Sequence, residues 1–194
     1  ISGKSIMTKD THERATDRTG EALEKIIDTE GDDIDGILMI QGDEPLLNPT
    51  LLDDMISFHT NQISPYITNL VSEIHDLDEF NNTNVVKVVK DHNDRILYFS
   101  RSPIPFNAKF IGKLPMWKQL GLILFSKKAL RTYTKLNPTE LEIIESVDMN
   151  RVLENDLKIT AYPTREISQA VDAPEDIPLI EELFAHDALI NNYA

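Results

Sequence analysis

Apolar positions along the chain switch between two spacings, and the switching sets the expected architecture. Residues 37–40 (Ile-Leu-Met-Ile) form an unbroken apolar run between the acidic loop Gly31-Asp32-Asp33 and Gly42. Such a run reads as a strand buried on both faces, as in the middle of a parallel sheet. Before it, Ala22, Leu23, Ile26 and Ile27 recur at helical spacing after Thr16-Asp17, a favourable N-cap pair. After it, Asn48-Pro49 opens a second helix, with Asn at the cap and Pro in the first turn, and Leu51, Leu52, Met55 and Ile56 as the inward stripe. Residues 66–71 read as the next strand, and residues 4–7 as a short strand leading into a polar loop. This alternation argues for an α/β layered domain.

The rhythm then changes. Residues 85–90 and 95–99, rich in β-branched and aromatic side chains, flank the turn Asp91-His92-Asn93-Asp94 and predict a hairpin inserted in the α/β chain. The stretch 102–115 carries Pro103, Pro105 and Pro115 and is expected to cross the surface as a loop. Residues 120–125 are apolar throughout and predict a second central strand, followed by a helix over 127–135. Asn137-Pro138-Thr139-Glu140 caps another helix, expected to turn Leu141, Ile144 and Val147 inward. A short strand at 158–162 and a helix at 174–184 close the chain. With no internal repeat, low-complexity segment or linker, residues 1–194 are expected to form a single domain.

Charge narrows the partners. The 33 acidic against 19 basic residues give a net charge of -14, which repels a nucleic-acid backbone. A phosphate-bearing ligand would need a divalent cation to supply positive charge. No apolar run approaches the roughly 18–20 residues of a membrane span, and no secretory signal opens the chain, so no membrane partner is expected. The absence of cysteine excludes disulfides and thiolate metal sites and fits a cytoplasmic location.

Candidate chemistry gathers where the first central strand stops, at Gln41-Gly42-Asp43-Glu44-Pro45. In open α/β sheets the ligand crevice lies beyond the carboxyl ends of strands, although Gly and Asp also suit an ordinary strand-to-turn exit. Further stretches join it in order: Met7-Thr8, His12 and Thr16-Asp17-Arg18; residues 84–89 (Asn-Val-Val-Lys-Val-Val); residues 97–105, through Ser100-Arg101-Ser102-Pro103; Gln119-Leu120-Gly121; Leu141-Glu142 with Ile144-Glu145; and Val171-Asp172-Ala173-Pro174-Glu175-Asp176. Together they resemble the 3-deoxy-manno-octulosonate cytidylyltransferase family, within the CTP-dependent acylneuraminate and ulosonate cytidylyltransferases.

The resemblance implies a three-layer α/β/α nucleotide-diphosphosugar-transferase fold, Rossmann-like, with a mixed, mostly parallel sheet, and a homodimer. It also implies a magnesium-dependent transferase of lipopolysaccharide biosynthesis, which moves CMP from CTP to the anomeric hydroxyl of a sugar acid and releases pyrophosphate. By position, Asp43 and Asp172 are its catalytic metal ligands for Mg²⁺; Asp172 also suits the N-cap of the following helix. Arg18 falls in the nucleotide-side loop, and Gln41, Arg101, Gln119 and Glu145 fall on the sugar side. An arginine suits a carboxylate or phosphate through paired hydrogen bonds, and equally a surface ion pair; Glu145 equally suits an exposed helix face. His12 matches a family histidine or orders its loop.

Three departures accompany the resemblance. The family's Gly- and basic-rich phosphate loop is absent from these 194 residues, so they are expected to bind CTP poorly, either because further residues precede Ile1 or because the protein is inactive. The family's Ser-Gly in the nucleotide loop is Arg14-Ala15, a loss of backbone freedom. The family's His-Leu-Gly-Ile-Tyr is Gln119-Leu120-Gly121-Leu122-Ile123, and its glutamine after Glu145 is Met149. These last changes alter contacts to the sugar. Acceptors other than the octulosonate therefore stay open, among them nonulosonic acids of the sialic, legionaminic or pseudaminic type, as does a non-catalytic nucleotide-sugar-binding protein.

Overall fold

A computed structural model describes residues 3–62, 66–109, 111–112, 114–165, 171, 174–187 and 189. Its frame is one six-stranded mixed sheet organised on β5 (Trp117–Ser126). Along one edge of β5 lies β2 (Ile67–Glu73), antiparallel, with β6 (Thr160–Thr164) parallel beyond it. The other edge takes two partners in sequence: β3 (Lys87–Lys90) pairs with the beginning of β5, and β1 (Gly36–Ile40) with its end. β4 (Ile96–Ser100) completes the expected hairpin with β3. Four strands run one way and β4 and β5 the other; the sheet is mixed, with β2–β6 the parallel ladder described and the other four ladders antiparallel.

Alternation along β5 builds the two apolar layers. Ile123 and Phe125 point into a cluster with Leu23 of α1 (Ala15–Glu30), Leu130 and Tyr133 of α4 (Lys127–Tyr133) and Val152 of α6 (Met149–Glu154). Leu120, Leu122 and Leu124 point the other way, onto Leu51 and Met55 of α2 (Pro49–Thr60). Successive strand residues face opposite sides, so a continuous apolar run in β5 feeds both layers of an α/β/α sandwich. Each fully buried Leu, Ile or Phe contributes about 1.5–3 kcal/mol. α2 begins as expected, Asn48 accepting at its side chain from the Thr50 amide at 3.0 Å. A short helix not foreseen, α3 (Leu77–Asn81), buries Phe80 beside Ile74 and Met116. The closing helix is α7 (Ile177–Ala185), after a tight turn at Pro174–Asp176. Among the described residues, no helix is long and apolar enough to cross a membrane.

Four local expectations are corrected. β1 pairs with β5 alone among the described residues, only Met39 on it is buried, and Ile40 is half exposed. An unbroken apolar run records side-chain character, not the number of neighbouring strands. Residues 4–7 form no strand, because extended backbone becomes one only when a neighbour takes up its N–H and C=O groups. α1 begins at Ala15, with Arg14 at its cap position, so Thr16 and Asp17 lie inside the first turn; both reach across to the segment 148–151 instead.

The fourth concerns α5 (Glu140–Glu145). Val147 is buried and Leu141 half-buried, but Ile144 is 67% exposed and the inward residue is Glu142, 1% exposed. The helix stops at Ser146, whose φ of 53° is left-handed, so a stripe extrapolated from 144 to 147 crosses a helix end. Glu142 takes Arg151 in a two-pronged bond (Nε to Oε2 2.7 Å, Nη2 to Oε1 2.6 Å) and also accepts from the Thr139 amide and Arg14. Burial pushes this carboxyl up, but the Arg151 bonds and the Thr139 amide outweigh it and hold the group below its usual value. Breaking a buried pair costs more than never having made it. Glu142→Ala is therefore expected to lower unfolding free energy by about 3–5 kcal/mol, and Ile144→Ala to change it by less than about 0.5 kcal/mol. Urea denaturation of both variants decides the matter; equal losses would return Ile144 to the core side.

Candidate functional site

A cleft of about 260 Å³ opens where β1 ends, beside the beginning of β5. The first element supplies Gln41, Asp43 and Glu44; β5 supplies Lys118, Gln119 and Gly121; the residue after β4 supplies Arg101; and Ser146 to Asp148 close the far wall. Of the residues expected at a site, Gln41, Asp43, Arg101 and Gln119 thus line one cavity. Glu145 stands behind its wall, Arg18 stands apart, and Asp172 lies outside the described residues.

Backbone bonds explain why these side chains converge. The Gln41 amide donates to the Gly121 carbonyl at 3.1 Å, and the Gly121 amide donates to Glu44 Oε1 at 3.1 Å. Residues 41 and 44 are thereby anchored to β5 past the end of β1. A side chain at Gly121 would meet Gln41 Cβ at 3.0 Å, so glycine is what permits this approach. The Val171 amide donates to the Asp43 carbonyl at 2.9 Å, which brings the residue preceding Asp172 against Asp43.

Asp43 carries the site's unmatched group. Its Oδ1 is buried and has no hydrogen-bond partner among the described residues. An ionised oxygen removed from water without a partner is costly, and a hard divalent cation is the chemistry that fits it. Among the described residues, no group of three or more His, Cys, Asp or Glu side chains is arranged to hold a metal ion.

Glu145 and Arg101 form one unit. Glu145 accepts from Ser100 Oγ at 2.7 Å, the Arg101 amide at 2.9 Å and Tyr98 OH at 3.0 Å. Arg101 in turn donates Nε–H to the Glu145 carbonyl at 2.9 Å, and Nη1 to the Thr83 and Asn84 carbonyls at 3.0 and 3.2 Å. Its Nη2 makes one long contact, to Ser146 O at 3.5 Å, and keeps its other N–H spare among the described residues. Buried Lys87 holds the same loop, with Nζ 2.6 Å from both the Asn82 and Val85 carbonyls. Burial, then the nearby Arg101 charge, pushes the Lys87 ammonium's pKa down.

Arg18 donates to Thr8 Oγ1 and to the Lys9 carbonyl and so ties α1 to the loop before it. His12 pairs with Glu21, which also holds Lys25 and the Lys9 amide. Lys25 first and His12 second bring the Glu21 carboxyl down to about 2. His12 thus orders its loop.

Asp148 was not foreseen. It lines the cleft, accepts from Thr16 Oγ1 at 2.6 Å, and burial pushes its carboxyl up. Among the described residues, the cleft therefore presents four carboxyl groups (Asp43, Glu44, Glu79, Asp148) and two cations (Arg101, Lys118), with Lys118 paired to Glu79 at 2.6 Å. Asn69, fully buried on β2, donates and accepts at the floor of the same region. An amide inside the apolar stretch 67–71 was the available signal for it.

Comparison with known proteins gives the family and the fold. The cytidylyltransferase family matches residues 1–159. The 3-deoxy-manno-octulosonate cytidylyltransferase of Thermodesulfovibrio yellowstonii is 38% identical over 188 residues, covering 93% of this chain and 73% of the relative. That of Chloroherpeton thalassium is 37% identical over 184 residues, covering 94% and 72%. Among solved structures, CMP:2-keto-3-deoxy-manno-octonic acid synthetase complexed with CTP superposes with a TM-score of 0.84 at 28% identity, covering 95% of this chain and 73% of that one.

The Glu145 unit yields a titration. Burial pushes its carboxyl up, but the bonds from the Arg101 amide, Ser100 and Tyr98 outweigh this and hold it below the usual range. A depressed folded value means that the ionised form favours folding. The stability it contributes is full above the unfolded pKa of about 4.3 and is lost as pH falls through the folded value. An NMR titration of Glu145 should give a midpoint below about 4.3; a midpoint at or above it would mean that the three donors do not grip the ionised group.

Proposed function

Because the chain belongs to the cytidylyltransferase family, we propose that it joins CMP from CTP to a sugar acid held in this cleft. The anomeric hydroxyl of the acid attacks the α-phosphate of CTP, a CMP-sugar forms, and pyrophosphate leaves. The octulosonate is the first acceptor to test, with nonulosonic acids next. The observation that carries the reading is the convergence of Gln41, Asp43, Arg101 and Gln119 on one cavity, with a buried Asp43 oxygen left unmatched among the described residues.

Transfer of this kind asks the protein for position and charge balance more than for covalent chemistry. The two amides orient sugar hydroxyls, and the spare Nη2 donor of Arg101 suits the acid's carboxylate. The Glu145 bonds fix the guanidinium before substrate arrives, which reduces the ordering cost on binding. With four carboxyl groups lining it, the cleft favours an anionic ligand only with added positive charge. Asp43 Oδ1 would hold Mg²⁺ there, joined through the resemblance by Asp172. When bound, Mg²⁺ neutralises phosphate charge and lowers the pKa of the attacking hydroxyl. We further propose a cytoplasmic homodimer. The lack of cysteine and of a membrane-length helix among the described residues is compatible with that location.

The test uses the complete protein with CTP, Mg²⁺ and a panel of ulosonic acids, following pyrophosphate. Release with at least one acid is expected, and none with any acid would leave the non-catalytic nucleotide-sugar binder as the reading. Asp43→Asn should cut kcat by about 100-fold or more while moving the thermal midpoint by less than about 3 °C. A near-normal rate would remove Asp43 from the metal site.

A further inference from the structure

β2 and β5 slip register where they pass the cleft. Asn69 faces Ile123 and Val71 faces Gln119, so Leu120, Gly121 and Leu122 of β5 stand opposite Leu70 alone. Extra residues of this kind leave ladder groups unpaired and redirect the strand. The buried Asn69 amide fills that gap. Its Nδ2 lies 3.0, 3.1 and 3.2 Å from the carbonyl oxygens of Leu70, Leu120 and Leu122, and its Oδ1 accepts from Gln119 Nε2 at 2.7 Å.

The orientation of this amide is dictated by its partners. Turned over, Asn69 would set an oxygen against three carbonyl oxygens and an NH₂ against an NH₂. Carbonyl oxygens only accept, and the amide nitrogen only donates. Oδ1 therefore faces Gln119 and can be met only by a donor, which turns the Gln119 NH₂ toward Asn69 and uses one of its two hydrogens there. The Gln119 carbonyl oxygen is thereby turned away from Asn69, and it is the acceptor that Gln119 brings to the cleft. Gly121, within the same irregularity, carries the Gln41 side chain against it.

We propose that Asn69 is a positioning residue that sets the polarity of Gln119, so that this part of the cleft selects a ligand group able to donate, namely one hydroxyl of the sugar acid. The proposal deepens the cytidylyl-transfer reading and rests on it. An analogue lacking that hydroxyl leaves a desolvated acceptor unpaired, and discrimination of this type is steep.

The experiment measures kcat and KM of the complete protein by pyrophosphate release, with 3-deoxy-manno-octulosonate and its analogues deoxygenated singly at C4, C5, C7 and C8. For the unaltered protein, one analogue should lose about 10- to 100-fold in kcat/KM against the parent acid. Gln119→Met should shrink that penalty to within about threefold, mainly by raising KM for the parent acid. Asn69→Ser should erode the same penalty at the same position with kcat little changed, and the double variant should discriminate no worse than Gln119→Met alone. A role confined to holding β5 would lower stability and leave the pattern across analogues intact. Should Asn69→Ser fail to fold, Gln119→Met still decides. Unchanged discrimination in these variants, or an unaltered protein indifferent to every deletion, overturns the proposal while leaving the reaction standing. Absence of turnover with every acid removes the reaction itself, and this selectivity with it.

Discussion

Everything in this fold leans on the hydrogen-bond ladder of β5. A strand can be flanked on two edges only, and β5 divides one of them, giving its beginning to β3 and its end to β1, while β2 takes the whole of the other. The division has a chemical consequence. Between the residues that pair with β3 and those that pair with β1 lies the segment 119–121, held at its ends by Val86 and Gln41, and the cleft opens beside it. The same alternation that sends Phe125 and Leu124 to opposite apolar layers brings polar side chains to an open mouth once the neighbours part.

The charged groups around the mouth are anchored by protein partners before any ligand arrives. Arg101 is fixed by four carbonyls and by the Glu145 carboxylate at its own amide; Lys87 is fixed by two carbonyls; Lys118 is held by Glu79. Against that background, one buried Asp43 oxygen without a partner among the described residues stands out. In a region otherwise satisfied, an unmatched carboxylate oxygen carries chemical information, because the cost of leaving it so would have to be offset by something that binds.

Much of this was legible in the chain. The capping pair at Asn48-Pro49, the hairpin around Asp91 to Asp94 and the unbroken run ending at Phe125 each declare a local structure, because the physics acts within a few residues. What escaped depends on distant partners. β1 looks like a central strand until its neighbours are counted, and residues 4–7 look like a strand but are given no ladder. Glu142 looks like a surface residue until Arg151 arrives, and a helical stripe cannot foresee the left-handed Ser146 that ends the helix. At the site, Gln41, Asp43, Arg101 and Gln119 could be named through the resemblance. Asn69 and Asp148 could not, since their meaning lies in a strand slip and in a hydroxyl from Thr16.

The Glu142–Arg151 pair also reaches Asp17, at 3.1 Å from Arg151 Nη1 across 134 positions of sequence. Closing a loop of that size costs only slightly more entropy than closing one half as long, since the penalty grows with the logarithm of length. The difference lies in timing. A tie between such remote segments that formed only after the sheet had brought them together would be absent while the folding barrier is crossed. It would then act as a latch: loosening it would hasten escape from the native state and leave the speed of arrival almost untouched.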